Sequence, residues 1–473
     1  MLFNSLDFLV FFVSVFVIYW IIPSRAKWII LLVCSYFFYA YWNPLYIFLL
    51  FASTLIDYVF GLYFTSSNNS WKQRVGLIVS LSLNLGMLFS FKYYNFFADG
   101  INALFTGLFN HKVIPNFSIL LPVGISFYTF QSISYAIDVY KKRIPAERNL
   151  GKFALFISFF PQLVAGPIER AKDLLPQIHI EKKVLTLNFL IEGLKYILWG
   201  LFLKVVVADN LATMVDAKFD NYFSETGGGL VFGIILFAFQ LYCDFNGYSK
   251  MAIGLAALLG YRLQNNFNYP FISASFNEFW RRWHISFTDW VRDYLFIPLG
   301  GTRCSKIRAS LNIFLTFSLV GLWHGASINY LFWGILSGVY ILTEYWVSPI
   351  LKIKIKFVNH LSHYIKIGIV FFFFCISIVP IRAINIDVTL MVYSKIFYSK
   401  IGEIYFWFAD NRYAPGMLGL YVVIFIEIWF GLKLNDIFNL KTKFTEPLFY
   451  SVIFFMILLL GKDTGSQFIY FQF

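Results

Sequence analysis

Hydrophobic positions in this chain come in long unbroken runs, and polar positions come as short interruptions between them. The runs fall at 8–22, 28–42, 45–64, 76–97, 119–139, 153–165, 189–207, 230–259, 313–323, 330–346, 367–380, 417–430 and 448–460. A helix that crosses a bilayer needs roughly 20 apolar residues, and fewer if it is re-entrant. Several runs are too short to cross alone, and a re-entrant segment is tolerated only where protein covers its backbone. The pattern therefore predicts an all-α integral membrane protein with about eleven true crossings plus re-entrant and interfacial helices. No internal repeat, low-complexity tract or soluble linker separates the runs, so residues 1–473 read as a single multi-pass membrane domain. The first run is followed by Pro23, Arg25 and Lys27 with no small-residue cleavage site, which reads as a retained span rather than a signal peptide.

Composition excludes a soluble enzyme. Hydrophobic residues make up 59% of the chain and charged residues 13%, about half of the ~25% charge that soluble domains carry. The 59 phenylalanines can face lipid as well as a core. The net charge of +13 would suggest nucleic acid in a soluble protein, but here the aromatics lie in the spans and the basic residues in short loops. That is the positive-inside arrangement. It places Arg25 and Lys27, Lys72 and Arg74, and Lys141 to Arg143 in the cytoplasm. The N-terminus, residues 43–44 and the 99–117 loop, which includes Asn110, then fall outside. Cys34, Cys243, Cys304 and Cys375 have no metal-ligand spacing, and neither a disulfide nor a metal site is expected.

Two histidines interrupt this pattern. The first lies in the segment from Phe276 to Phe296, where Phe276, Phe279, Trp280, Trp283, Phe287, Trp290 and Tyr294 recur at three and four residues. They predict one amphipathic helix, with Arg281, Arg282, Asp289 and Arg292 largely opposite. An interfacial helix with tryptophans at headgroup depth explains that pattern. His284 falls at the border of the two faces, as an interfacial anchor or as a catalytic group pointing into a polar cavity. The second is His324, in Gly321-Leu-Trp-His-Gly-Ala326 between apolar runs. An ionisable residue at membrane depth is costly and by default marks function. The alternative is a packing histidine bonded to a neighbouring helix. As a general base, His324 needs one ring nitrogen left to accept a proton. Gly321 and Gly325 let a substrate or another helix approach closely.

Other polar islands ask for partners. Asp244, Asn246 and Tyr248 sit in a long apolar run and should line a cavity or pair internally. Ser126, Tyr128, Thr129 and Gln131 enter another run, and residues 161–170, with two prolines and a glycine, cannot form a straight helix. There is no Walker loop, dinucleotide glycine fingerprint or His-Glu-x-x-His.

Taken together, Phe3–Phe8, Leu121–Gln131, Phe160–Arg170, Asp244–Gly254, Phe279–Gly301, Leu322–Gly325 and the C-terminal Phe468–Phe473 resemble the membrane-bound O-acyltransferase superfamily. The resemblance is to its bacterial branch of alginate and peptidoglycan O-acetyltransferases, with the D-alanyl transferases of teichoic acids more distant. It implies a ring of tilted helices around a thin centre, with funnels from both faces meeting at a histidine. It carries the near-invariant histidine onto His324 and a second conserved histidine onto His284. It implies cytoplasmic acetyl-CoA as donor substrate, no bound cofactor, an extracytoplasmic polysaccharide as final acceptor, an SGNH-type acetyltransferase partner and a bacterial inner membrane. Charge and location, not the resemblance, point to Arg281 and Arg282 for the CoA phosphates. A lipid-linked glycan transporter is the alternative of a different class; it calls for internal repeats, which are missing from the sequence.

Overall fold

The computed structural model describes all residues except 68, 110–111, 118–120, 352–358, 399–413, 433–444, 463–466 and 470–473. Asn110, the start of the 119–139 run and the last four residues of the C-terminal motif lie outside the described residues. Among the described residues the regular elements are all helical. Five helices are long and apolar enough to cross a membrane: Tyr46–Ser66, Ser70–Gly107, Gly227–Leu258, Ser362–Arg382 and Ala414–Gly431. The multi-pass expectation holds; helix length does not establish a count of eleven. The chain divides into two compact units, residues 1–190 with 255–264, and residues 191–254 with 265–473.

The first unit contains α1 (Leu6–Ile21), α2 (Lys27–Ala40), α3 (Tyr46–Ser66), α4 (Ser70–Leu88), α5 (Tyr94–Phe109), α6 (Ile125–Tyr140), α7 (Leu150–Ser158), α8 (Ala171–His179) and the start of α9 (Leu187–Leu201). Side chains begin these helices where the sequence supplies them. Ser5 accepts from the Phe8 N–H, Asn69 from Trp71 and Lys72, and Asn149 from Lys152, which satisfies first-turn amides that helices leave open. Leu9, Val10, Val13 and Val17 of α1 are exposed, as a lipid-facing stripe must be. The polar residues expected inside α6 are all buried. After α7 the chain runs without helix to Ala171, as the prolines require, and residues 153–169 are buried throughout. Irregular backbone of that kind survives in a membrane only under such cover. Gln131 donates to the Glu169 carbonyl at 3.4 Å, and the Glu169 carboxylate accepts from the Gln264 N–H at 2.7 Å.

The second unit contains most of α9, then α10 (Asp209–Asp220), α11 (Gly227–Leu258) except its last four residues, α12 (Phe276–Arg282), α13 (Ile285–Val291), α14 (Lys306–His324), α15 (Ile328–Leu351), α16 (Asn359–Ser377), α17 (Val379–Arg382), α18 (Ile386–Tyr398), α19 (Ala414–Leu432) and α20 (Thr445–Leu460). Two glycine crossings set its centre. A Cβ on Gly200 would lie 2.6 Å from the Gly247 carbonyl oxygen, and one on Gly254 would lie 2.6 Å from that of Gly193. Seven-residue spacing on both α9 and α11 thus lets the two backbones touch, as small residues do in membrane helices. Beside this crossing, Lys204 reaches Asp244 at 2.7 Å and Asp209 at 2.9 Å, all three buried. The second Asp244 oxygen accepts from the Ile469 N–H at 2.8 Å, and Phe468 packs edge-on against Tyr248 at 4.9 Å. Asp244 therefore pairs internally. Its partner Lys204 is one cation in the 189–207 run, and nothing in sequence distance links it to residues 467–469.

Candidate active site

The single helix expected over 276–296 is broken at His284. α12 starts on a Ser275 cap, whose side chain accepts from the Glu278 N–H at 3.0 Å, and it ends at Arg282. Trp283 is extended, and His284 takes left-handed dihedrals of φ 44 and ψ 55 before α13 begins. A non-glycine residue there stores backbone strain and needs its surroundings to hold it. Asn266 does much of this. Its carbonyl accepts from the Ile285 N–H at 2.9 Å, and its side-chain oxygen accepts from the Ser286 hydroxyl at 2.6 Å. The Asn266 amide in turn donates to Ser249 on α11 at 3.1 Å. Asn268 N–H donates to the Arg282 carbonyl at 2.9 Å, closing the other side of the turn.

The break resets the helical phase, so His284 is not on the border of two faces. It is buried, and Phe279, Trp283, Phe287, Trp290 and Tyr294 are buried with it against protein. A smooth helical projection places aromatics on one side but does not see a residue that leaves the helix between them.

His324 ends α14, and Gly325 leaves the helix in an extended conformation. α14 and α15 run back against each other through glycines. A Cβ on Gly321 would meet the Tyr330 carbonyl oxygen at 2.3 Å and the Gly334 Cα at 2.9 Å, and one on Gly325 would lie 2.1 Å from the Tyr330 ring. These glycines serve the close approach of another helix. His324 is thereby packed down into the hairpin and is 8% exposed.

The two histidines share neighbours. The Phe287 ring stacks on His284 at 4.9 Å and on Trp323 at 4.2 Å, and its centroid is 5.7 Å from that of His324. Phe245 of α11 meets His284 edge-on at 4.6 Å, and Trp333 of α15 meets His324 edge-on at 4.8 Å. Four segments thus converge on one aromatic cluster holding both imidazoles. Trp333 is 4% exposed, and its indole N–H has no hydrogen-bond partner among the described residues. Leaving such a donor unmade in a buried place costs about 1–3 kcal/mol, so it is available to an incoming acceptor.

Arg281 and Arg282 are not part of this cluster. Arg281 is exposed at the end of α12. Arg282 pairs with Glu278 at 2.8 Å and donates to the Asn268 carbonyl at 3.2 Å. Asn266 and Trp333 escaped the sequence reading. Asn266 lies in an Asn-Asn-Phe-Asn stretch that reads as a loop, and Trp333 is one more aromatic in an apolar run.

Residues 143–386, which take in both histidines, match the family model described as MBOAT, membrane-bound O-acyltransferase family. The chain belongs to that family. It is an O-acyltransferase, and the transporter alternative is set aside. It is 37% identical over 450 residues to a probable alginate O-acetylase of Pseudomonas aeruginosa, covering 95% of this chain and 83% of that protein. It is 35% identical to a peptidoglycan O-acetyltransferase of Helicobacter pylori, covering 72% of this chain and 69% of that one. A teichoic acid D-alanyltransferase of Streptococcus thermophilus is 31% identical, but over 49% of this chain and 58% of that one.

Proposed function

We propose that this O-acyltransferase moves acetyl groups from cytoplasmic acetyl-CoA across a bacterial inner membrane for O-acetylation of an extracytoplasmic polysaccharide of alginate, cellulose or peptidoglycan type. The observation that carries the reading is the meeting of His284 and His324 in one buried cluster within the family-matching segment. Two relatives named as O-acetylating enzymes of such polymers support it, each covering more than two thirds of its length. Teichoic acid D-alanylation is the weaker reading, because that likeness covers about half of the chain.

The chemistry asks little beyond these residues. His324 takes the proton of an acceptor hydroxyl as its oxygen attacks the thioester carbonyl carbon. The C–S bond then breaks, and the departing CoA thiolate takes up that proton. Negative charge gathers on the carbonyl oxygen in between, and the Trp333 N–H is a buried donor suited to receive it. His284 orients the donor or assists the proton transfer. Arg281, which forms no ion pair among the described residues, is the cation offered to the CoA phosphates; Arg282 is engaged by Glu278 and Asn268. The immediate acceptor is a hydroxyl of an SGNH-type partner or of the polymer itself. The membrane orientation is the one set by the basic loops, with the N-terminus outside.

Acetyl transfer from labelled acetyl-CoA in membranes holding equal protein tests this. His324→Ala is expected to lose a factor of about 10² to 10⁴. Trp333→Phe keeps an aromatic ring, though a smaller one, and removes the N–H, and is expected to lower kcat about 10²-fold with KM little changed. Wild-type transfer in His324→Ala would remove the assigned base.

A further inference from the structure

The first unit carries two neighbouring lysines, the buried Lys27 and the half-buried Lys183, that form no ion pair among the described residues and that the acyl-transfer chemistry does not use. Lys27, the first residue of α2, is 7% exposed. Its ammonium lies 4.1 Å from the Trp20 ring centroid, 4.9 Å from that of Tyr19 and 3.4 Å from the Lys183 carbonyl oxygen. Lys183, in the loop between α8 and α9, holds its ammonium 3.1 Å from the Tyr261 ring centroid and donates to the Gly260 carbonyl at 2.8 Å. Both line one small cavity with Ser24, Lys152, Glu181 and Tyr261. The Lys152 ammonium contacts Nδ1 of His179 at 3.1 Å, and the opposite ring nitrogen is bound to Glu147 at 2.6 Å.

Among the described residues no carboxylate pairs with Lys27 or Lys183. Glu181 lines the cavity but is exposed and forms no ion pair with either. Aromatic faces and carbonyl oxygens solvate an ammonium in part, yet they carry no net charge to balance two of them. Burial, and then the charge of Lys27, hold the Lys183 amine down to about 7. An anion between the two amines would hold both protonated, and the described residues do not supply one. The site lies at the turn between α1, which ends at Ile21, and α2, which begins at Lys27, and the basic-loop pattern puts that turn at the cytoplasmic surface. Phosphate groups are the anions concentrated there, and lysine binds them as a compact point charge.

We propose that Lys27 and Lys183, with Ser24 and Lys152 at the rim, form a phosphate-binding site in the first unit. The ligand is a phosphate ester whose oxygens accept from both ammonium groups. It comes either from a phospholipid headgroup or from a soluble phosphate ester. The inference does not rest on the acyl-transfer reading and stands or falls without an activity measurement.

The test uses the full-length protein in neutral detergent and follows its thermal unfolding midpoint. Three probes are titrated: phosphatidylglycerol against phosphatidylcholine, each as mixed micelles in the same detergent, inorganic phosphate, and CoA. The wild type is expected to be stabilised by at least one of them. The apparent affinity should fall about 10-fold in Lys27→Met and about 100-fold in Lys27→Met/Lys183→Met, as the loss of one and two charge-assisted hydrogen bonds. A response to phosphatidylglycerol alone identifies a headgroup site; a response to CoA or inorganic phosphate identifies a soluble ligand. If the double variant does not fold, Lys183→Met alone carries the comparison, because its loop position leaves the helices intact. Equal shifts in wild type and variants, or no shift of the wild type with any probe, overturn the proposal.

Discussion

The Ser70–Gly107 and Gly227–Leu258 helices have nearly the same mean hydropathy, 1.6 and 1.7, and opposite surroundings. In the first, 22% of the apolar window is buried; in the second, 83%. The first hides a narrow stripe, Gly76, Ser80, Asn84 and Leu88, each one turn from the next. Ser80 and Asn84 donate to one oxygen of Asp57 at 3.0 and 2.9 Å, while Ile78, Leu83 and Leu85 remain exposed. The second buries Gln240 and Asp244 on one side and, at 100° per residue, Asn246 and Ser249 on the other. Hydropathy reports that a helix crosses lipid. The angular spread of its polar residues reports how much of it faces protein, since a polar group on the lipid side has no partner.

The largest effect that would break this comparison lies at the centre of the buried helix. Lys204→Met leaves Asp244 and Asp209 buried without their cation, and is expected to cost about 3–5 kcal/mol. Thermal unfolding in detergent measures it, and the triple variant Lys204→Met/Asp209→Asn/Asp244→Asn should recover most of the loss. A single variant as stable as wild type would show that burial around α11 is looser than described.

A smaller effect belongs to His284. His284→Gln keeps a donor and an acceptor but cannot take up a proton at neutral pH. It is expected to insert normally and lose about tenfold or more of the acetyl transfer, in the range of a displaced acid–base or orienting group. A pH–rate profile that loses one ionisation would point to proton transfer, and an unchanged profile to orientation of the donor. Near-normal activity would leave His284 a structural residue of the turn between α12 and α13.

The smallest effect is expected on the lipid-facing side. Leu83 is 44% exposed, and if acyl chains as apolar as itself cover it, Leu83→Ala should change stability by less than about 0.5 kcal/mol. A loss of 2 kcal/mol or more, typical of a buried leucine, would mean that the Ser70–Gly107 helix is covered by something other than lipid.

The chain by itself determined that this is an all-helical membrane protein, where its five long apolar helices lie, and that His324 interrupts an apolar stretch. Those properties follow from local composition and from the cost of polar groups in hydrocarbon, both written residue by residue. The resemblance of its motifs to the acyltransferase family was legible in the same way, and so was the need of Asp244 for a partner. The break at His284 was not. Its left-handed backbone is held by Asn266 and Asn268 across the turn, and helical periodicity carries straight through such a kink. The partners of Asp244, namely Lys204 and the Ile469 N–H, lie 40 and 225 positions away, and no local pattern connects them. The sharing of Phe287 and Trp323 by two histidines, the free indole N–H of Trp333 and the paired cations Lys27 and Lys183 are likewise decided by which helices close upon one another. Side-chain chemistry is local, but a counterion, a clamp or a neighbouring ring is supplied by whatever the fold brings within a few ångströms.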